Sequence, residues 1–314
     1  MRSYSLIAPA KINLYLEIIG DRPDGYHELA MVLQSIALAD QIELRSLGVD
    51  QIRVRCDYPG VPTDTSNLAY RAADLMRQQF SDVFDRYGGV EISIQKMIPI
   101  GAGLAGGSTN AAAVLVGLNL MWQLGLTQAE LQDLGSQIGS DVPFCLAGGT
   151  ALATGRGENL SALPTLENRY LVLAKYRNLE ISTAWAYTTY RQQFGDTYTS
   201  NAQGLSARRE RVHSGAIVTA ISHHDYAKIG QLLHNDLERI VLPAHPQVAK
   251  LKDELSALTP LGTMMSGSGP TVFALAESLD HAKQVQDQIR NTIADPDLDV
   301  WVTQFAPLGI RLAQ

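Results

Sequence analysis

Pro99-Ile100-Gly101-Ala102-Gly103-Leu104-Ala105-Gly106-Gly107-Ser108-Thr109 is the stretch on which the fold turns. It follows Val90-Glu91-Ile92-Ser93-Ile94-Gln95, whose alternation reads as a strand, and runs into residues 109–124, apolar nearly all round, which read as a buried central helix. Four glycines in eleven residues exceed what a tight turn needs. Glycine lets backbone approach a ligand closely, and the unpaired N–H groups of a first helical turn carry a partial positive charge. Strand, glycine loop and helix N-terminus together make an anion cradle, and phosphate fits that geometry.

Two other phosphate loops are disfavoured. Gly101 to Gly106 satisfies GxGxxG, but a dinucleotide site wants a strand ending in an acid about 20 residues on, where the sequence reads as another helix. A Walker loop ends in Gly-Lys-Ser/Thr, whereas here the end is Gly-Gly-Ser-Thr, so no lysine comes from the loop itself. The companion motifs of protein kinases are missing.

Upstream, Ser5 to Ile19 alternates as one or two strands and breaks at Gly20-Asp21-Arg22-Pro23-Asp24-Gly25. Further strands are expected at 41–44 and 51–56, and Asn67 caps a helix from Leu68 to Phe80. Downstream, a helix spans Gln128 to Ile138, and Gly148-Gly149 precedes a short strand. A first domain over 1–160 follows, and a second over 161–314. The second opens on a strand, Tyr170 to Ala174, and a helix from about Thr183. A polar stretch from Gly195 to Ser214 reads as a mobile loop, followed by helices around 215–240 and 244–257. Two strands flank Ser266-Gly267-Ser268-Gly269-Pro270, and a helix near 280–294 leads to a strand at 300–305. Strands and helices mix without strict βαβ alternation, which makes the class α+β.

The 314 residues are 46% hydrophobic and 18% charged, which excludes long disordered or collagen-like stretches. A net charge of −7 argues against broad affinity for nucleic acid or anionic lipid, so an anionic ligand must be captured locally. Cys56 and Cys145 lie far apart with no CxxC spacing, which points to a reducing cytoplasm rather than a disulfide framework. The N-terminus shows neither an apolar export segment nor a transit stretch, and the run from Ala111 to Trp122 is too short for a membrane span of about 20 residues. His27-Glu28 lacks the second histidine of a zinc helix, and His223-His224 do not share a helix face.

Four smaller constellations stand out. In Ala10-Lys11-Ile12-Asn13-Leu14, Lys11 and Asn13 share one face of a strand. The turn after Asp21 delivers Tyr26 and His27 side by side, Ser140-Asp141-Val142-Pro143 sets a carboxylate at a helix end, and Ser266 to Pro270 is a glycine turn out of register with a GxSxG elbow.

In this order these segments resemble the GHMP kinases, over the whole chain. The particular forms of Ala10 to Leu14, Arg22 to Leu29, Pro99 to Ala112, Gly139 to Phe144 and Met265 to Thr271 resemble the branch that phosphorylates 4-diphosphocytidyl-2-C-methyl-D-erythritol. The resemblance implies a two-domain GHMP kinase fold. Its N-terminal domain would be like the second domain of ribosomal protein S5, its C-terminal domain ferredoxin-like, with the active site in the cleft between them. It implies ATP-dependent phosphorylation of the 2-hydroxyl of that cytidyl-diphosphate sugar alcohol, in the non-mevalonate isoprenoid pathway, by a cytoplasmic monomer or weak homodimer with no nucleic-acid or membrane partner.

By the same resemblance, Asp141 takes the hydroxyl proton while Lys11 stands beside it and balances charge on the transferring phosphoryl group. The loop Pro99, Ile100, Gly101, Ala102, Gly103, Leu104, Ala105, Gly106, Gly107, Ser108 and Thr109 wraps ATP, with Ser108 near Mg²⁺. Asn13 holds substrate beside Lys11, Tyr26 stacks on the cytosine, His27 bonds its polar edge, and Thr183 and Tyr187 line the cytidine pocket. Gly267 and Gly269 support the phosphate loop. The pair Tyr26-His27 separates this branch from homoserine or mevalonate kinases, and intact Lys11 and Asp141 argue against a silent binding protein. Ala102 and Ala105 stand where some relatives have glycine, which is tolerable where φ stays negative. Tyr176 replaces a proline common in the family, and the arginines Arg208, Arg209 and Arg211 have no counterpart in the resemblance and read as part of a solvated loop.

Overall fold

The computed structural model describes residues 3–199, 203–205, 207–208, 215–258 and 260–313. The expected strand at the N-terminus is one long strand, β1 (Ser3–Asp21), paired antiparallel along nearly its whole length with β2 (His27–Ser46). Register shifts between Pro9 and Lys11 and between Asn13 and Tyr15 bracket the Lys11–Asn13 segment. Such bulges bend a strand and re-aim its side chains, here toward the cleft.

β3 (Ile52–Cys56), β4 (Val90–Gln95), β5 (Thr150–Gly155) and β6 (Asn159–Ala162) extend this sheet in the order β1-β2-β4-β3, with β5 beside the first half of β2 and β6 beyond it. One face is covered by α1 (Leu68–Gln79), which Asn67 caps by accepting from Ala69 N, and by α3 (Gly106–Trp122). The short α2 (Ser81–Tyr87) lies between them in sequence, and α4 (Gln128–Ile138) and α5 (Val142–Ala147) complete the layer. Ala111 to Leu115 and Leu118 of α3 are fully buried against Leu6, Ile42, Leu44 and Ile92 of the sheet. Helix and sheet approach so closely that a Cβ at Gly117 would stand 2.0 Å from Leu44 Cδ1.

The second half forms a four-stranded antiparallel sheet from β7 (Tyr170–Tyr176), β9 (Gly262–Met265), β10 (Val272–Ala276) and β11 (Leu298–Gln304), in the order β11-β7-β10-β9. Numbered within that sheet the order is 4-1-3-2, the ferredoxin-like arrangement. α6 (Thr183–Phe194) and α11 (Leu279–Thr292) are capped by Ser182 and Ser278. Between them, the expected helical stretch at 215–240 is broken into α7 (Ala216–Ser222), α8 (Tyr226–Gln231), a two-residue strand β8 (His234–Asn235) and α9 (Glu238–Ala244), before α10 (Pro246–Ala257). His224 at φ 52° and the Asp225 cap on Lys228 N end one helix and start the next.

Both short strands of the C-terminal half return to the first sheet: β8 pairs with Tyr15 and Leu16, and β12 (Arg311–Leu312) with Leu6 and Ile7. Leu16, Ile18, Leu29 and Met31 of the first sheet share a core with Val172, Ala174 and Val272 of the second, which fixes the cleft between the sheets. The start of the stretch expected as a mobile loop is a 3₁₀ turn, Gly195–Thr197, that directly follows α6. Arg208 is held by Glu17 at 3.3 Å and donates to Thr199 Oγ1, while Arg209 and Arg211 lie outside the described residues. Among the described residues, no helix is long and apolar enough to cross a membrane. Cys56 and Cys145 are both free thiols.

Candidate active site

A cavity of about 860 Å³ lies between the two sheets. Pro99 to Ser108 line one end, Lys11, Asn13 and Asp141 the middle, and Tyr26, His27 and Tyr187 the other end, with Thr183 on the wall beside Ser268. Thr109 is fully buried beneath the loop and Gly269 packs on Met265; neither is on the cavity wall.

The middle is built from β1 and the start of α5. Lys11 is 5% exposed and Asn13 1%, and the Lys11 ammonium donates to Asn13 Oδ1 at 2.8 Å while lying 3.7 Å from Asp141 Oδ2. Asp141 stands at the N-cap of α5, yet in the right-handed region (φ −84°, ψ −13°) with no side-chain capping bond. Pro143 in the first turn removes one donor, and the Asp141 carboxylate is left facing Lys11. A buried cation between a carboxylate and an amide oxygen is the geometry that polarises a nearby hydroxyl and tolerates developing negative charge.

The loop end is tied down at both sides. Lys11 N donates to Leu104 O at 3.1 Å, and Ser266 Oγ donates to Gly103 O at 3.1 Å. Gly101 and Gly103 take φ of 55° and 73°, and a Cβ at Gly103 would lie 2.2 Å from Ser266 O. Gly267, at φ 55°, puts its Cα where a Cβ would stand 3.4 Å from Lys11 Nζ and 3.3 Å from Asn13 Oδ1. The turn after β9 thus packs on the glycine loop and on the polar pair of β1 together.

Helix α3 begins at Gly106, three residues earlier than its apolar run, so the first-turn N–H groups of Gly106, Gly107 and Ser108 face the cavity. Its N-cap is Ala105 at φ 57°, ψ 31°. The expectation that alanine there keeps a negative φ is corrected: the residue is left-handed, a conformation that costs about 1–2 kcal/mol for a side chain bearing Cβ. The tie from Leu104 O to Lys11 and the packing of Ala105 on the helical core hold it there. Ala102 is not among the residues of positive φ.

Several groups here were not singled out from the sequence. The fully buried Asp40 accepts from Met97 N, Ile98 N and Asn110 Nδ2, each at 2.8 Å, and pairs with the Lys96 ammonium. A Cβ at Gly106 would lie 2.8 Å from Lys96 Nζ, so this lysine abuts the glycine loop from the preceding strand end. Its only sequence signal is a lysine between strand and Pro99. Asn235 donates to Met265 O and Gly267 O, both at 2.8 Å, and so sets the 266–269 turn from β8. Thr183 Oγ1 and Ser268 Oγ share a 2.9 Å hydrogen bond that ties the start of α6 to the 266–269 turn.

At the far end the His27 and Tyr187 rings lie 5.2 Å apart, with Tyr198 edge-on to His27 at 5.9 Å. Burial pushes the His27 imidazole below its ordinary range, so its neutral form dominates at neutral pH, and burial raises the Tyr187 phenol. His27 Nε2 is buried without a hydrogen-bond partner among the described residues. Tyr26 is half exposed, and the Arg156 guanidinium lies over its ring at 4.8 Å.

Residues 67–149 match the family model for the GHMP kinases N terminal domain, and residues 217–295 match that for the GHMP kinases C terminal. The chain is 64% identical over 313 residues to the 4-diphosphocytidyl-2-C-methyl-D-erythritol kinase of Trichodesmium erythraeum, covering 100% of both proteins. It is 66% identical to that of Nostoc punctiforme, covering 99% of each. The chain belongs to the 4-diphosphocytidyl-2-C-methyl-D-erythritol kinase family of GHMP kinases.

A solved 4-(cytidine 5'-diphospho)-2C-methyl-D-erythritol kinase, 30% identical to this GHMP kinase, superimposes with a TM-score of 0.73 over 96% of this chain and 99% of that one. A homoserine kinase from Cytophaga hutchinsonii reaches 0.74 over 100% of this chain and 98% of its own at 19% identity, a likeness of fold alone. The α+β two-sheet architecture is thus that of GHMP kinase structures, as expected from the sequence.

Proposed function

We propose that the chain phosphorylates the 2-hydroxyl of 4-diphosphocytidyl-2-C-methyl-D-erythritol with ATP, giving the 2-phosphate and ADP, a step toward isoprenoid precursors. The observation that carries this is the Lys11–Asp141 pair at 3.7 Å, midway along a cavity with an anion-binding loop at one end and an aromatic pair at the other.

Each residue's task follows from where it stands. The N–H groups of Gly106 to Ser108, which line the cavity, receive the triphosphate, with the Lys96 ammonium, paired with Asp40, beside them. Asp141 accepts the proton of the 2-hydroxyl as its oxygen bonds to the γ-phosphorus and the bond to the β-phosphate oxygen breaks. Lys11 faces both the carboxylate and the charge that spreads over the transferring group, and Asn13 holds the ammonium at that point. Tyr26 and Tyr187 offer ring faces and His27 a neutral imidazole for a cytosine, with Thr183 beside them.

Two carboxylates, Asp141 and Glu180, line the cavity, and no cluster of three metal-ligating side chains occurs among the described residues. That donor set fits a magnesium ion carried in on phosphate oxygens, which usually takes only one or two protein ligands. Ser108, on the first turn of α3, is the residue we assign to it; the ion would supply neutralisation of phosphate charge. The two sheets support a division into segments 1–160 and 161–314, with β6 (Asn159–Ala162) of the first sheet running past residue 160 and β8 and β12 reaching back into the first. A monomer or weak homodimer in the cytoplasm is the accompanying reading.

The test is the position of the phosphate. Incubation with Mg-ATP and the cytidyl substrate, followed by phosphorus and carbon NMR, is expected to show a new phosphomonoester coupled to the carbon of the 2-hydroxyl. Phosphate on any other hydroxyl contradicts the assignment.

A further inference from the structure

The Gly155-Arg156-Gly157 turn between β5 and β6 carries the one cavity-lining cation that has no carboxylate bound to it among the described residues. Lys11 faces Asp141, and Lys96 is paired with Asp40. Arg156 is half-buried, and its guanidinium lies 4.8 Å over the Tyr26 ring with one long contact to Ser136 O at 3.4 Å. The nearby acids are engaged elsewhere: Asp24 is bonded to Arg22, and Glu158 accepts from the backbone N–H of Arg156. Gly155 and Gly157 take φ of 74° and 121°, so the turn conformation that presents the side chain favours glycine on both flanks.

Position decides what this cation meets. On one side it covers one face of the half-exposed Tyr26 ring, which leaves the other face for a nucleobase. On the other, a Cβ at Gly157 would stand 3.5 Å from Ser140 O, so the turn abuts the residue that precedes Asp141. A substrate with its base on Tyr26 and its reacting hydroxyl at Asp141 passes the turn that carries Arg156. In a nucleoside-diphosphate-linked alcohol the linker between the two is the diphosphate. A planar guanidinium with five donors, near Asp24 but with no carboxylate bound to it, matches two adjacent phosphate oxygens.

We propose that Arg156 is a specificity-determining residue that binds the diphosphate of the cytidyl substrate. The proposal rests on the substrate reading above. Arg156 selects for a diphosphate over a bare nucleoside, and it does so at the substrate end, apart from the glycine loop.

The experiment is calorimetric titration of wild type, Arg156→Met and Arg156→Lys with cytidine 5'-diphosphate and with cytidine, alongside KM for ATP and thermal unfolding of each variant. The wild type is expected to prefer the diphosphate, and Arg156→Met to lose about ten- to hundredfold of that preference, the range for a charge-assisted hydrogen bond. Cytidine affinity and KM for ATP should hold, and Arg156→Lys should fall between. An unchanged preference in Arg156→Met overturns the proposal and leaves the substrate reading intact. Equal losses for cytidine and its diphosphate overturn it too, and assign Arg156 to holding the Tyr26 ring. If the wild type binds neither ligand, the substrate reading itself fails and the proposal with it.

Discussion

Replacing Gly103 by alanine tests the contact between the glycine loop and the 266–269 turn. At φ 73° an alanine carries backbone strain of about 1–2 kcal/mol. Its Cβ would also stand 2.2 Å from Ser266 O and 3.0 Å from Gly269 N, both backbone atoms, so the two segments must part. Forcing a methyl into a packed contact typically costs about 1–3 kcal/mol more, for a total of about 2–5 kcal/mol. Gly48 provides the control, since its φ of 66° carries the same strain while a Cβ there meets nothing within 4 Å. Urea unfolding of both variants against wild type should therefore show Gly103→Ala less stable than Gly48→Ala by the contact component. Gly103→Ala should also raise KM for ATP, because the loop it displaces is the anion cradle. Equal stability losses in the two variants would refute the close packing of loop on turn.

Asp141→Asn should lower kcat by more than a thousandfold while ATP affinity, measured by equilibrium titration, stays within a few-fold; near wild-type kcat would remove Asp141 as the base. Tyr26→Ala should weaken the cytidyl substrate by about tenfold or more, the range for base stacking on an aromatic ring, and spare KM for ATP. His234 is raised above its ordinary range by its 3.0 Å hydrogen bond to Asp236, so its stabilising contribution is full below about pH 6.5 and is lost as pH rises through the folded-state value. His234→Gln should accordingly destabilise the protein more at pH 5.5 than at pH 9 in urea unfolding, and the reverse order would contradict the pairing.

Much of the fold was legible because its elements declare themselves locally. The alternation in β1, the Asn67 cap and the apolar run of α3 each follow from one short stretch. β2 was read only at 41–44, because Glu28 to Ile36 is buried on both faces, Leu29, Met31 and Leu33 in one core and Ala30, Val32 and Ile36 in another, which erases the alternation that marks a half-buried strand. The breaks at His224 and Asn235 escaped a helical reading of 215–240, since a two-residue strand has no periodicity to detect. In the site, glycines, Lys11 and Asp141 stood out by motif. Asp40, Asn235 and Arg156 did not, because their partners lie 58, 32 and 130 residues away in sequence, at Ile98, Gly267 and Tyr26. The flanking glycines of Arg156 were the one local hint.

The most direct measurement is coupled ADP release by the purified protein with Mg-ATP, offered 4-diphosphocytidyl-2-C-methyl-D-erythritol, mevalonate, homoserine and galactose at equal concentration. Turnover with the cytidyl substrate alone is the predicted result. Comparable turnover with any of the other three alcohols, or none with the cytidyl substrate, would contradict the assignment of the Tyr26, His27 and Tyr187 end of the cavity to a nucleobase.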